Sequence, residues 1–121
     1  MPLRRLLMML TAAVLVAVCN PVRAGDDVKL IETIWVAQSA DCPIREVNLH
    51  DFGRAVVVAD KIGSDGAAWN FDPPVLHIYF DTWNGNLDGQ ILGDNDFQAT
   101  YFWRSDETLT QSSVTCPFKR Q

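Results

Sequence analysis

The sequence predicts an all-β fold: a small antiparallel meander of about eight strands, arranged as a barrel or a barrel-like sandwich and held by one disulfide. Three observations support this prediction. Short runs of alternating apolar and polar residues are separated by turn residues such as Gly, Pro, Asn and Asp. No long segment has helical periodicity, and consecutive hairpins favour a meander over crossover connections. Two cysteines lie outside the N-terminal segment, and they allow a single pairing.

The first residues follow the pattern of an export signal. Arg4 and Arg5 form the charged start, residues 6–18 are the apolar stretch, and residues 22–24 are a small-residue cleavage site. We therefore predict a signal peptide over residues 1–24, a single β domain over residues 25–121, and a periplasmic or secreted protein. The apolar stretch is too short to favour a membrane span, and no other run approaches the roughly 20 residues that a span needs.

The three cysteines separate into one within the predicted signal and two within the predicted domain. Cys19 leaves a lipoprotein alternative, but Val18 precedes it where a lipoprotein signal has a small residue, so we expect Cys19 to leave with the signal. Cys42 and Cys116 are predicted to form a disulfide, because an exported chain meets an oxidising compartment. Their separation of 74 residues closes a long loop, for which the chain-entropy model gives about 4 kcal/mol of stabilisation.

The chain is acidic. Its formal net charge is −5, and removal of Arg4, Arg5 and Arg23 with the signal would leave seven Lys and Arg residues against fifteen Asp and Glu, or −8. Such a surface repels nucleic acid and anionic lipid headgroups, and it attracts basic proteins or cations. Solubility alone is the simpler explanation of this charge.

The first half of the predicted domain contains four strands, over residues 33–37, 46–50, 55–59 and 68–71. Residues 25–32 are either one or two helical turns or the approach to the first strand, in which Trp35 is predicted to fill one end of the core. Residues 55–59 are β-branched and apolar on both faces, which favours a central strand. Residues 61–66 are predicted to form a turn, and Pro73-Pro74 interrupts the pairing.

The second half is organised around residues 75–103, which are predicted to form three strands joined by two tight turns. Alternate residues from Leu76 to Phe80 face the core. Asn84-Gly85 predicts a two-residue hairpin turn of type I′, and residues 93–95 predict the next turn. The third strand carries aromatic residues on both faces, so its inward face stays open. A last strand over residues 108–116 brings in the second cysteine of the pair.

Aromatic and polar side chains share one face of this central segment. Four of them alternate along its first strand, opposite the core face, and two more join them if the third strand pairs in the matching sense. The predicted ligand-binding residues are His77, Tyr79, Asp81, Trp83, Tyr101 and Trp103. Rings mixed with hydrogen-bonding groups are typical of a small-molecule cavity, a glycan platform or a protein contact patch. The alternative is that these rings fill the second side of an ordinary β core.

No motif predicts catalysis, a cofactor or a resident metal. The segment from Asn84 to Gly89 has the ligand rhythm of a calcium loop, but the closing Glu is absent, and the same residues suit a hairpin turn. No Ser lies in a G-x-S-x-G context. His50 and His77 are the only imidazoles, and catalysis would need one of them within hydrogen-bond reach of a Ser or a carboxylate. We therefore predict a protein that binds and performs no chemistry.

One early and one late cysteine after a cleaved signal, together with the run from Phe102 to Thr110, resemble the bacterial periplasmic inhibitors of C-type lysozyme. The resemblance implies a small one-disulfide β domain that binds a lytic enzyme. The two inhibitory motifs of that family, a Ser-Gly-x-x-Tyr loop and a Thr-Lys-Gly turn, are absent, and Arg104-Ser105-Asp106 stands at the turn. No inhibitory residue is therefore transferred. A meander with an early Trp35 is also similar to calycin-type barrels, which bind apolar ligands.

The sequence thus leaves two functional hypotheses. In the first, the aromatic face binds a small molecule or a glycan, and the ligand quenches tryptophan fluorescence. In the second, the acidic surface captures a basic lytic enzyme such as lysozyme through loop acids that include Asp88, Asp94 and Asp96, because opposite charge speeds encounter. The sequence identifies neither the ligand nor the oligomeric state.

Overall fold

A computed structural model describes residues 29–121, and it confirms the predicted all-β meander. The strands are β1 (Thr33–Ala37), β2 (Ile44–Leu49), β3 (Arg54–Ala59), β4 (Gly63–Asp72), β5 (Val75–Phe80), β6 (Asn86–Leu92), β7 (Asp96–Arg104) and β8 (Gln111–Arg120). Each strand pairs antiparallel with the next, and β1 pairs with β8, so that the sheet closes into a barrel. The predicted signal peptide lies outside the described residues. Among residues 29–121, no helix is long and apolar enough to cross a membrane.

The up-and-down topology places successive connections at alternate ends of the barrel. We call one end the upper rim, which carries the connections at residues 38–43, 60–62, 81–85 and 105–110. The lower rim carries the connections at residues 50–53, 73–74 and 93–95, together with the start of β1 and the end of β8. Closure leaves every strand with two neighbours, because β1 satisfies the free edge of β8. Residues 55–59 form a strand with a neighbour on each side, as expected of a central strand, but only one of its faces is buried: Val56 and Val58 lie half-buried on the outer surface.

Apolar side chains fill the barrel interior. The largest fully buried ones are Trp35, Phe97, Phe118, Ile44, Leu49, Leu76, Ile78 and Leu87. Trp35 is fully buried, as predicted, and its Nε1 donates a hydrogen bond of 2.8 Å to Thr33 Oγ1. Thr33 Oγ1 in turn donates to the carbonyl of Leu30 at 2.6 Å, so this buried polar pair is satisfied. The first described residues, Lys29 and Leu30, are helical, and Leu30 packs under this end of the core.

The predicted disulfide is present. Cys42 lies in the connection between β1 and β2, and Cys116 lies in β8, with a distance of 5.2 Å between their Cα atoms. Both cysteines are buried within the hydrophobic core. The bond therefore ties an upper-rim connection to the last strand, across the point where the barrel closes.

The strand registers settle the inward face of β7, which the sequence left open. Tyr101 pairs with Leu87 of β6, and Leu87 pairs with Ile78 of β5, so the three side chains share the inner face. Ala99 and Phe97, two and four residues before Tyr101, are buried on the same face. Phe102 and the residues alternating with it therefore face outward.

Two predicted turns differ from the structure. β4 begins at Gly63 and pairs with β3 over residues 63–68, so the turn comprises residues 60–62 instead of the predicted 61–66. β5 ends at Phe80 and β6 begins at Asn86, so a five-residue loop over residues 81–85 replaces the predicted two-residue hairpin turn. Only Gly85 in this loop has a positive φ, 119°, whereas a type I′ turn needs two such residues. The predicted turn at residues 93–95 is confirmed.

Candidate functional site

A cleft opens at the upper rim, between the loop over residues 81–85 and the end of β7. Its volume is about 470 Å³, within the range of small-molecule sites. The lining residues come from β5, the loop, β6, β7 and the start of β8: Tyr79, Phe80, Trp83, Asn84, Gly85, Asn86, Phe102, Trp103, Arg104 and Gln111. Half of these side chains are aromatic, and three carry amides.

The carboxylate of Asp65 holds the loop that forms one wall of the cleft. Asp65 Oδ2 accepts hydrogen bonds of 2.9 Å from the backbone amides of both Thr82 and Trp83. Asp65 Oδ1 accepts a third bond, 2.8 Å long, from the Thr82 hydroxyl. Burial raises the pKa of Asp65, but the hydrogen bonds from Trp83 and Thr82 outweigh burial, and the net pKa is lowered. The loop therefore closes around an ionised carboxylate, and this interaction replaces the predicted turn chemistry.

Asn84 joins the loop to the end of β7. Its Nδ2 donates to the carbonyl of Arg104, and the Arg104 amide donates to Asn84 Oδ1 at 3.4 Å. The Tyr101 hydroxyl donates to the Asn84 carbonyl at 3.2 Å. Gly85 packs directly on β7, because a Cβ atom at this position would clash with the carbonyl oxygen of Phe102. These contacts fix the distance between the two walls of the cleft.

A group of packed rings supports the cleft from the inner side. Phe80 contacts Trp83 edge to face, with ring centroids 6.2 Å apart, and it also contacts Tyr101 at 5.8 Å. Tyr101 stacks on Trp103 with centroids 5.0 Å apart. Burial raises the pKa of the Tyr101 phenol. The rings are therefore held in one arrangement before any ligand arrives, which lowers the entropy cost of binding.

The outer wall of the cleft follows one row of paired residues. Tyr79 of β5 pairs with Asn86 of β6, and Asn86 pairs with Phe102 of β7, so their side chains share the outer face. Tyr79 is 50% exposed, so its ring is accessible on the outer face. Arg104, two residues after Phe102, extends this row to the lip of the cleft.

The structure brings together only some of the six predicted ligand-binding residues. Tyr79, Trp83 and Trp103 line the cleft, and Tyr101 stacks behind Trp103. The other two do not line the cleft. His77 stacks on Tyr79 with ring centroids 6.1 Å apart and contacts Asp88, and Asp81 forms an ion pair with Arg54. Tyr101 does not share a face with His77, because the register of β6 and β7 turns Tyr101 inward.

Several lining residues were not predicted. Phe80 was assigned to the core, and it is only partly buried because β5 ends there. Phe102 was the one lining residue that the sequence could have indicated. A large ring that alternates with polar residues on the outer face of a strand indicates a contact surface. Asn86, Arg104 and Gln111 come together through the strand pairing, and Asn84 joins them through its hydrogen bonds to Arg104.

Both histidines contact carboxylates. His50 Nδ1 lies 3.3 Å from Glu32 Oε2, and His77 Nδ1 hydrogen-bonds to Asp88 Oδ1. Each imidazole therefore lies within hydrogen-bond reach of a carboxylate, which is one of the two arrangements that catalysis would need. Within residues 29–121, however, neither imidazole hydrogen-bonds to a Ser or Thr hydroxyl, and neither lines the cleft. In the same range, no group of three or more His, Cys, Asp or Glu side chains is arranged to hold a metal ion.

Two further cavities lie away from the cleft. One, of about 360 Å³, is at the lower rim and is lined by apolar residues of β4 and β6 together with Lys29, Leu30 and Arg120. The other, of about 340 Å³, lies on the outer face of β1 to β3, beside the unpaired and buried Oδ1 of Asn48. The lower-rim cavity takes part of its wall from Lys29 and Leu30, where the described chain begins. The upper-rim cleft alone of the three combines several rings with several amides.

Most of the acids predicted to attract a basic protein already contact a basic side chain of this protein. Asp88 contacts His77 on the outer face, and Lys119 Nζ lies 2.9 Å from Asp96 Oδ1 at the lower rim. Asp94 is exposed in the turn between β6 and β7. The three acids therefore do not form one free patch.

The arrangement at the upper rim can stack a ring, hydrogen-bond through amides and offer one guanidinium. The residues that line it supply no Ser, Cys, His or carboxylate for nucleophilic or acid–base chemistry. Comparisons with family models, with curated proteins and with solved structures find no match for this chain.

Proposed function

We propose that this chain is a binding protein that takes a small molecule or a glycan in the upper-rim cleft and performs no chemistry on it. The observation that carries the proposal is the cleft of about 470 Å³, in which five rings and three amides converge on a fixed backbone. Small barrels are filled by their own side chains or hold one small ligand. Here the interior is filled, so a ligand site falls at the rim.

The chemistry of the cleft suits a ring that is apolar on its faces and polar at its edges. Tyr79, Phe102 and Trp103 offer ring faces for stacking, and Gln111 offers an amide donor and acceptor for hydroxyl or carbonyl groups. Asn86 offers its amide oxygen, while its Nδ2 donates to Asp88 Oδ2. Sugars and planar heterocycles have this combination of an apolar face and a polar edge.

The proposal places the protein outside the cytosol, in the periplasm or secreted. The disulfide between Cys42 and Cys116 is compatible with an oxidising compartment, and the signal pattern in residues 1–24 favours export. A ligand site that stacks rings at an open rim suits capture from the surrounding medium.

Tryptophan fluorescence tests the proposal directly, because Trp83 and Trp103 line the cleft. The protein is titrated with panels of oligosaccharides and of small aromatic compounds, and we expect one class to quench the emission. Tyr79→Ala and Phe102→Ala should each weaken that binding about tenfold, the ratio that corresponds to the loss of one stacked ring. Phe52→Ala is the matched control, since this ring is 97% exposed in the lower-rim connection between β2 and β3.

The variants separate a binding role from a structural one. Both side chains lie on the outer face, so the variants should keep the urea midpoint of the parent while they lose affinity. Equal affinity of the parent, Tyr79→Ala and Phe102→Ala for every bound compound would refute the cleft as the ligand site.

Capture of a basic lytic enzyme is the second candidate, favoured by the acidic net charge of −5 and by the resemblance of the cysteine frame. It requires an inhibition that weakens as salt is added. Full activity of a C-type lysozyme in the presence of excess protein at low salt would remove this candidate, and it would leave the cleft proposal intact.

A further inference from the structure

The upper-rim cleft contains a single formally charged side chain, Arg104, and this residue specifies the ligand further. We infer that the ligand is a ring that bears a carboxylate, and that Arg104 binds the carboxylate while the neighbouring rings stack on the ligand. The inference rests on the proposed function, because it concerns the same cleft. It narrows the ligand from any small molecule or glycan to sugar acids and aromatic acids, which share this chemistry.

The charge of the cleft is opposite to the charge of the chain. The chain carries 15 acidic residues against 10 basic ones, yet the side chains around the cleft are aromatic or amide-bearing apart from Gly85 and Arg104. No carboxylate lines the cleft to neutralise the guanidinium. An anion that enters the cleft therefore meets an uncompensated positive charge.

The guanidinium of Arg104, at the edge of the cleft, forms no ion pair with another residue of the described chain. Arg45, Arg54 and Lys119 each reach a carboxylate within the barrel, whereas no carboxylate in residues 29–121 lies within 4.0 Å of the Arg104 guanidinium. The backbone of Arg104 is nevertheless fixed, since Asn84 hydrogen-bonds to both its amide and its carbonyl. The position of the residue is thus set by β7 and the loop, and its guanidinium remains available to a ligand.

The geometry of a guanidinium explains the choice of carboxylate. Its N–H groups form a planar fork that matches the two oxygens of a carboxylate, and such bidentate pairs are stronger than neutral hydrogen bonds. Phe102 lies two residues before Arg104 on the same outer face, so a ring stacked on Phe102 places a substituent close to the guanidinium. Gln111, the strand partner of Arg104, adds an amide beside it.

Paired probes that differ only in charge test the inference. An oligomer of galacturonic acid is compared with its methyl ester, and 1-naphthoate is compared with methyl 1-naphthoate, each by fluorescence titration of the full protein. We expect at least one acid to bind about tenfold more tightly than its ester, the ratio that one exposed charge-assisted hydrogen bond provides. The two pairs decide between a sugar acid and an aromatic acid. Added salt should reduce the difference, because the guanidinium is exposed.

Arg104→Gln removes the guanidinium and keeps a shorter, neutral side chain that can hydrogen-bond. Arg120→Gln is the matched control, because it makes the same charge change on an exposed arginine at the lower rim. Arg104→Gln should abolish the preference for the acid and leave affinity for the ester unchanged, whereas Arg120→Gln should change neither. Esters that bind as tightly as acids, or a preference that survives in Arg104→Gln, would overturn the inference and leave the cleft proposal standing. Absence of binding by all four probes would also overturn it.

Discussion

At the scale of single residues, Asp65 has the clearest structural role, because it holds the loop over residues 81–85. It lies on β4 opposite Val57, so its side chain faces the inner side of the upper rim, where an unpaired carboxylate would be costly. The amides of Thr82 and Trp83 and the Thr82 hydroxyl supply three donors to it. One side chain therefore replaces several backbone hydrogen bonds that a regular hairpin would make. The position of Trp83, and with it one wall of the cleft, depends on this interaction.

We predict that Asp65→Asn lowers the free energy of unfolding by about 1 to 2 kcal/mol, because it removes charge-assisted hydrogen bonds from a half-buried site. Urea unfolding at neutral pH measures the loss. Asp94→Asn is the control, since it makes the same chemical change on an exposed turn residue. An equal loss in the two variants would contradict a special role for Asp65.

The same carboxylate predicts a pH dependence. The pKa of Asp65 is lowered in the folded protein, so the unfolded chain binds more protons on the acid side, and stability rises with pH there. The contribution of Asp65 is complete above its ordinary pKa near 3.8, and it is lost as the pH falls through the lowered folded-state pKa. The difference in unfolding free energy between the parent and Asp65→Asn should therefore be full near neutral pH and should shrink below about pH 4. A difference that does not vary with pH would contradict the assignment.

At the scale of elements, the loop between β5 and β6 and the end of β7 form one unit. Gly85 sits where the loop turns into β6, with φ at 119°, and its missing Cβ lets the loop lie against the backbone of Phe102. Asn84 then bonds to Arg104, so the loop and β7 are joined along their facing edges. The cleft exists because this loop is five residues long and bends over the rim, which a two-residue hairpin turn would not do.

We predict that Gly85→Ala destabilises the fold by about 3 kcal/mol and weakens ligand binding, because the new Cβ requires both a strained φ and a displaced β7 backbone. Gly93→Ala provides the comparison. Gly93 also has a positive φ, 63°, but a Cβ there meets nothing within 4 Å, so the cost should be limited to about 1 kcal/mol and binding should not change. Urea unfolding and fluorescence titration of both variants check the prediction. Similar losses in the two would show that the contact with Phe102 is unimportant.

At the scale of the whole molecule, closure and the disulfide act on the same region. The β1 to β8 pairing closes the barrel, and the bond between Cys42 and Cys116 joins the connection after β1 to β8. A domain of this size has a limited core, so a cross-link between distant parts of the chain is a large fraction of its net stability. The cleft is formed by β5 to β8 and contains no residue of β1. The pairing of β1 with β8 therefore affects the cleft only indirectly, by holding β8 and its neighbour β7 in place.

Reduction of the disulfide should therefore lower stability more than it alters the cleft. For a separation of 74 residues we expect a loss of about 4 kcal/mol in unfolding free energy, measured by urea unfolding with and without a phosphine reductant. The variant with both Cys42→Ser and Cys116→Ser should match the reduced protein and should not respond to the reductant. A loss below about 1 kcal/mol would show that strand pairing alone holds the closure.

The fold was predictable because its signals are local. Alternation along each strand, turn residues between strands and a single possible cysteine pair are properties of short segments, and they were sufficient for the eight-strand meander and the disulfide. The order of pairing followed because adjacent antiparallel strands joined by short connections have few alternatives. The loop over residues 81–85 was missed because Asn84-Gly85 has hairpin chemistry, whereas the deciding donor–acceptor contacts come from Asp65, 17 residues before Thr82.

The amino-acid sequence by itself determined that the chain alternates with a period of two, that its core faces could be buried only by antiparallel pairing, and that Cys42 could pair only with Cys116 within the domain. Only the tertiary structure decided which face of β7 turns inward, and therefore that Tyr101 supports the cleft while Phe102 and Arg104 open onto it. The physical reason is that register is a relation between strands. The rings of β7 suit either face by their own chemistry, and the partners of β7 in β6 and β8 make the choice.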